Sequence, residues 1–286
     1  MNTIVADERN ADQIAFWNGP GGESWVSRQE AQDKILAPIA AAAINRAAVQ
    51  AGERVIDVGC GCGFTTIELA RRVGPSGRVL GLDVSAPMLA RAAERLPPGL
   101  PVEFVRADAT VHPLPRGEFD LLFSRFGVMF FAEPSRTFAN LRAGLRSGGR
   151  LCFACWRTPE ENPWLMLPLK AAYEHVPPLP QVSPDDPGPF AFAREDRVRG
   201  ILDQAGFESI TLESFDTELD VSNAGGLDDA VANALGLGPA RRAVEGHPPE
   251  TVRAVADSVR RALAAHQRGA TVPLPGGIWL VTACSE

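Results

Sequence analysis

The sequence predicts an α/β fold: a seven-stranded, mostly parallel sheet with an antiparallel C-terminal edge and helices on both faces. Three observations predict it. Between Arg54 and Arg157, short apolar runs alternate with amphipathic helical segments, the pattern of a parallel sheet wrapped by crossover helices. The first run ends in a glycine-rich turn, VIDVGCGCGF, residues Val55 to Phe64. Two late strand-like runs, FESITLESFDTEL and GGIWLVTAC, are separated by helical sequence and suit an antiparallel edge.

Taken in order, a polar, acidic leader ends in FWNGPGGESWV (Phe16 to Val26), with two tryptophans around a Gly-Pro-Gly-Gly turn, and a helix is expected from Ser27 to Gln50. The parallel core follows. Its strands are RVIDV, RVLGLDV, VEFV, FDLLF and RLCFACW, and its helices FTTIELARRV, SAPMLARAAERL and SRTFANLRAGL. Ser85 caps the second helix with Pro87 in its first turn, and Ser147-Gly148-Gly149 is expected to end the third. Beyond Trp156 comes a proline-rich stretch with one short helix and a long irregular connection, of the length that functional loops have. REDRVRGILDQAG then reads as a helix, and LDDAVANALGL and PETVRAVADSVRRALAAHQRG form a helical insertion before the last strand. The organisation expected is a lid and helix over residues 1–50, a ligand-binding core over 51–157, and a substrate-side loop, helical insertion and closing strands of the same domain over 158–286.

The glycine turn alone leaves three readings open: a nucleotide loop, a metal site or a tight turn. Its position, closing a strand and opening a helix, favours a ligand. Its spacing is G-x-G-x-G, and Phe64 stands where the dinucleotide fingerprint needs a small residue, against a nicotinamide cofactor. Asp83 ends the second strand, where a carboxylate can accept both hydroxyls of a ribose. Asp108 follows the third in RADAT, placed to accept from an exocyclic amine such as that of adenine while the Ala109 N–H faces a ring nitrogen. Together they describe a nucleoside site.

At this point the sequence resembles a class I S-adenosylmethionine-dependent methyltransferase of the group that includes the ubiquinone and menaquinone methyltransferases. DVGCGCG, GLDVS, RADAT, FDLLFSRFGVMFF and LRSGGRLCF match that family's successive motifs over about residues 50 to 157. The resemblance implies a Rossmann-like sheet and S-adenosyl-L-methionine as cofactor. It implies that Gly59, Gly61 and Gly63 shape the loop beside the methionine moiety and that Asp83 holds the ribose. Met88 would lie against adenine, Asp108 and Ala109 would read its edge, and Ser124 and Arg125 would line the site. Cys60 and Val84 complete the cofactor set by position, although the loop cysteines stand where such motifs vary. Asp57, inside an apolar strand, is expected to orient the loop through backbone bonds.

Composition bounds the partners. A net charge of −7 offers no broad cationic surface, against long nucleic acids; Arg241–Arg242 and Arg260–Arg261 read as solvated helix faces. No run reaches membrane-spanning length, and the leader is no signal peptide, so a cytoplasmic protein is expected. Cys60, Cys62, Cys152, Cys155 and Cys284 are odd in number and read as reduced thiols. Cys152 and Cys155 point to opposite faces of a strand, so no metal site is expected.

Methyl transfer needs alignment and desolvation more than acid or metal. Where the acceptor needs a base, His112 is the first candidate, with His175 and Tyr173 second. Trp17, Trp25, Phe130 and Trp164 are the expected substrate and lid residues around a small, partly apolar methyl acceptor. Three other readings remain: a non-catalytic S-adenosylmethionine-binding protein, an NAD-linked oxidoreductase, and an RNA methyltransferase if the insertion gathers its arginines on one face. Oligomeric state is not legible.

Overall fold

The computed structural model describes residues 4–181 and 183–286. Four helices precede the sheet: α1 (Ala11–Asn18), α2 (Pro20–Ser27), α3 (Gln29–Ile35) and α4 (Ala37–Arg46). Gly19 makes the expected turn, between α1 and α2, while Pro20, Gly21 and Gly22 form the first turn of α2. Pro20 opens α2, whose missing N–H costs nothing in a first helical turn, and buried Gly22 lies so close to the Trp17 carbonyl that a Cβ there would collide with it. The single helix expected from Ser27 to Gln50 is likewise divided at Leu36, because Pro38 lacks the N–H that would continue the ladder and instead starts α4.

The core alternates as the sequence indicates: β1 (Arg54–Val58), α5 (Phe64–Val73), β2 (Arg78–Asp83), α6 (Ala86–Arg95), β3 (Val102–Arg106), β4 (Phe119–Arg125), α7 (Pro134–Arg142) and β5 (Leu145–Trp156). Ser147-Gly148-Gly149 lies inside β5, not at a helix end. Helix α7 stops at Ala143, and the β4–β5 register shifts between Phe119 and Leu121, an irregularity that Gly148 accommodates with φ +70°. The chain continues through α8 (Pro163–Ala172), α9 (Glu195–Gln204), β6 (Glu208–Asp220), α10 (Gly226–Gly236), α11 (Gly238–Val244), α12 (Pro249–Ala264) and β7 (Pro273–Ser285).

The sheet order is β3-β2-β1-β4-β5-β7-β6. β1 to β5 pair in parallel, and β7 runs antiparallel between β5 and β6. Order reverses between β1 and β4, so a crevice opens outside their carboxyl ends, where open α/β sheets bind ligands. Two apolar clusters hold the molecule. The larger fills both faces of the sheet and includes Val198, Ile201 and Leu202 of α9. The smaller joins α8, α10 and α12 through Leu169, Val231, Val255, Val259 and Leu263 to the β7 end at Leu274. The helical insertion thus has a core of its own, and α8 and α11 are held over the crevice. The proline-rich connection before α9 is docked as well: Phe192 is fully buried, and Trp279 Nε1 donates to the Ala193 carbonyl at 2.8 Å.

Candidate active site

The crevice deepens into a cavity of about 280 Å³, walled by the leader helices, the glycine loop, the ends of β2 and β4, and residues of α3, α8 and α11. The loop after β1 is held from below by its neighbour strand: the N–H groups of Gly59 and Cys60 donate to the Leu82 carbonyl at 2.8 and 3.1 Å. Gly59 has φ +66° and packs so closely on Gly127 that a Cβ would lie 2.6 Å from its Cα. Only glycine satisfies both constraints. Gly61, φ +54°, gives its N–H to Asp83 Oδ2 at 2.8 Å, and the Met88 methyl covers it. Gly63 turns away from the cavity, against Ala92 and Phe104.

Asp83 also accepts from the Ser85 N–H at 2.8 Å. Burial pushes its pKa up, opposed by these N–H groups. With Val84, Met88, Asp108 and Ala109 it lines the cavity. Asp108 is fully engaged from the leader: Asn10 Nδ2 donates to both its oxygens at 2.9 Å, and the Asp7 N–H to Oδ2 at 2.9 Å.

Asp57 does not hold the loop backbone. Its Oδ2 accepts from the hydroxyls of Thr65 and Thr66 at 2.8 and 2.7 Å, because the first turn of α5 falls beneath the end of β1, while Oδ1 is buried without a partner. Burial raises its pKa to about 6 against the pull of the two threonines. Burial likewise raises the Cys60 thiol far above its ordinary range and Cys62 to about 12, so both remain neutral thiols. Among the described residues no cluster of His, Cys, Asp and Glu has the arrangement to hold a metal ion.

Strand alternation separates Ser124 from Arg125. Ser124 is fully buried and ties β4 to β1, donating to the Val58 carbonyl at 2.7 Å; it does not reach the cavity. Arg125 does, its guanidinium 5.5 Å above the Phe64 ring. The next residue, Phe126, adopts φ +66°, an outlier for a bulky side chain, and stacks on Trp156 at 4.1 Å. Trp156 in turn meets Trp164 at 5.0 Å. On the leader side Trp17 packs edge-on against Phe130 at 5.1 Å and Trp25 at 6.4 Å. Trp17, Trp25, Phe130 and Trp164 all line the cavity, as their sequence setting suggests.

The three candidate bases do not line it. His112 sits in the turn in which the Val111 and His112 N–H groups close onto the Asp108 carbonyl, and partial burial lowers its pKa. Tyr173 and His175 stand beyond the far end of α8 from Trp164, about 14 Å of helix rise away. The Tyr173 hydroxyl accepts from the Leu179 N–H, and His175 Nε2 meets Ser258 Oγ at 2.8 Å. Conversely, Asn10, Gln32, Arg241 and Arg242 line the cavity although nothing in their local pattern singles them out; of the arginine pair on α11, Arg241 is half-buried while Arg242 stays exposed to solvent as expected.

A nucleoside-sized cleft at a sheet switch point, with a glycine loop beneath it and one acid at the tip of β2, defines an enzyme of the nucleoside-cofactor α/β class. Comparison with known proteins gives the particular family. Residues 55–149 match the family described as "Methyltransferase domain". The chain is 30% identical over 185 residues to the ubiquinone/menaquinone biosynthesis C-methyltransferase of Photorhabdus laumondii, an alignment covering 59% of this chain and 72% of the relative. It is 32% identical over 164 residues to the biotin biosynthesis bifunctional protein BioCD of Bordetella avium, covering 56% and 33%. A solved putative methyltransferase from Bacillus halodurans shares the fold at TM-score 0.55 and 18% identity, covering 86% of this chain and 98% of that one. The chain belongs to the class I S-adenosylmethionine-dependent methyltransferases, and S-adenosylmethionine is its cofactor. The nicotinamide and non-catalytic readings fall with that.

Proposed function

We propose that this methyltransferase acts on a small, partly apolar acceptor bound within the cavity, by in-line displacement at the methyl carbon. The observation that carries the reading is the make-up of the cavity wall: Asp83 and the glycine loop share the lining with an aromatic collar of two groups, Trp17 with Trp25 and Phe130, and Trp156 with Phe126 and Trp164. The residues fit the cofactor. Asp83 presents a carboxylate beside a loop whose Gly59 and Gly61 leave no side chain between backbone and cavity, and Val84, Met88 and Ala109 wall the region assigned to the base. Asp108 serves adenine only as far as Asn10 yields its place.

S-adenosylmethionine supplies a methyl group on a positively charged sulfur, which departs as a neutral thioether when the acceptor's electron pair takes the carbon. The chain's part is to align the acceptor behind that carbon and exclude water. Aromatic faces favour a desolvated cation, so the collar also suits the sulfonium. No His, Tyr, Lys or Glu lines the cavity among the described residues, and its acids Asp33, Asp83 and Asp108 are each held by donors of the protein, so the reading rests on positioning rather than on side-chain base catalysis.

The insertion's arginines give RNA little support: Arg241 is half-buried in the cavity wall, Arg260 pairs with Asp228, and Arg261 bonds Ser258 at 2.6 Å. No helix among the described residues is long and apolar enough to cross a membrane. The free cysteines suit the reducing cytoplasm. Calorimetric titration with S-adenosylmethionine, S-adenosylhomocysteine and NAD tests the cofactor assignment; binding of the first two with none of NAD is expected, and NAD binding alone overturns it. Transfer of labelled methyl to small acceptors, and none to RNA, tests the acceptor class.

A further inference from the structure

Every acid that lines the cavity is matched from within the protein. Asp83 accepts two backbone N–H groups, Asp108 is held by Asn10, and Asp33 accepts from Arg95 at 2.7 Å and Gln29 at 2.5 Å. The arginines of the same lining are not. Arg125 makes no hydrogen bond or ion pair among the described residues, and its Nη1 is fully buried without a partner. Its one close interaction is the Phe64 face. Arg241 has only a long pair with Glu245, at 3.8 Å. Of the buried unpartnered polar atoms in the lining, two are donors, Arg125 Nη1 and Trp164 Nε1; the third, Gln32 Oε1, is a neutral acceptor.

A guanidinium withdrawn from water needs a carboxylate or phosphate more than a ring face can replace. Stacked on Phe64, it keeps its edge free for the two-pronged grip that planar carboxylates accept. Asp33 and Asp57 act on Arg125 electrostatically but reach it with no hydrogen bond. The cofactor cannot relieve the imbalance by its net charge, since the sulfonium adds a cation to a cavity already holding Arg125, Arg241 and Arg242.

We propose that the methyl acceptor carries a carboxylate, received by Arg125. This rests on the small-molecule reading above and names the acceptor's class. An acceptor that arrives ionised also suits a lining without histidine, tyrosine or lysine.

The test uses the full chain loaded with S-adenosylhomocysteine and titrated with matched pairs: benzoate and benzamide, phenylacetate and phenylacetamide, cinnamate and cinnamamide. At least one acid should bind about tenfold or more tighter than its amide. That preference should vanish in Arg125→Gln and survive in part in Arg125→Lys, while affinity for S-adenosylhomocysteine stays within about threefold, well under the tenfold expected of a lost ionic contact. Acids and amides that behave alike across the set, absence of binding included, overturn the proposal. So does a loss of S-adenosylhomocysteine affinity in Arg125→Gln as large as the loss of acid binding, which assigns Arg125 to the cofactor's own carboxylate. If Arg125→Gln fails to fold, the acid-over-amide preference of the unaltered protein and its weakening in Arg125→Lys decide the matter. Failure of S-adenosylhomocysteine to bind the unaltered protein overturns the cofactor assignment as well; failure of the acid preference with that binding intact overturns this inference alone.

Discussion

Asn10 and Asp108, 98 positions apart in the chain, form one buried polar unit: the amide of Asn10 donates to both oxygens of the carboxylate at 2.9 Å. The same amide reaches Thr110 Oγ1 at 2.9 Å, and Asn10 Oδ1 accepts from the Ala132 N–H at 3.1 Å. One side chain thus ties the leader to the loop after β3 and to the segment that enters α7. Around it, Asp7 pairs with Arg136 and Arg9 with Glu133, at the surface.

Asn10→Ala should loosen the leader without unfolding the sheet. Leaving a buried carboxylate short of a donor costs about 1–3 kcal/mol, and that cost falls on leader docking. Hydrogen exchange over residues 4–27 should accelerate while the main melting transition moves little; unchanged exchange there removes Asn10 as the latch.

Asp83→Ala should weaken S-adenosylhomocysteine by on the order of 2–3 kcal/mol, about 30- to 150-fold. Asp83→Asn should not rescue it, because an amide turns a donor toward N–H groups of Gly61 or Ser85 that are themselves donors. Calorimetry gives the answer, and affinities within about twofold of the unaltered protein dismiss the ribose role, since a lost charged contact costs more than that.

Asp57 sets a pH dependence. Its folded pKa, about 6, lies above the ordinary 3.8, so folding favours the protonated form. The stability it contributes is complete below the ordinary carboxylate value and is lost as pH rises through about 6. Asp57→Asn keeps an oxygen for Thr65 and Thr66 and removes the charge. Without ligand, the variant should match the unaltered protein near pH 4 and exceed it by about 2–3 kcal/mol above pH 7. Urea unfolding at the two pH values measures this; a constant difference contradicts it.

Phe126 holds backbone strain at the cavity wall, at φ +66°. Phe126→Gly relieves about 1–2 kcal/mol of left-handed strain but removes a buried ring stacked on Trp156, a loss of about 3–5 kcal/mol. Packing wins, so the variant should be less stable by about 2 kcal/mol. A melting point equal to or above that of the unaltered protein shows the strain to be the larger effect.

Much of the site was legible because its signals are local. Gly59 and Gly61 answer to a backbone geometry set within one turn, Asp83 to the tip of its own strand, and Trp17 and Trp25 stand out in an otherwise polar leader. The candidate bases misled for the converse reason. His112 follows a ligand-side loop in sequence, yet it is absent from the cavity lining; His175 lies three residues past the end of α8, whose opposite end carries Trp164. Ser124 and Arg125 looked equivalent until the strand's alternation sent one into the sheet and one into the cavity. The break at Gly19 was readable at Pro20, and the break at Leu36 was equally readable at Pro38, which a continuous helix from Ser27 to Gln50 does not accommodate.

By itself the sequence determined the alternation of strands and helices, the glycine loop and the acid beside it, since periodicity and backbone conformation depend on neighbours a few residues away. Only the tertiary structure decided that Asn10 occupies Asp108, that Arg241 joins the cavity wall, and that Arg125 Nη1 is buried without a partner. Such pairings depend on which distant surfaces meet when the apolar clusters close, and burial then gives each charge its consequence: in water Arg125 would need no partner, whereas inside the cavity its unmatched charge asks for one.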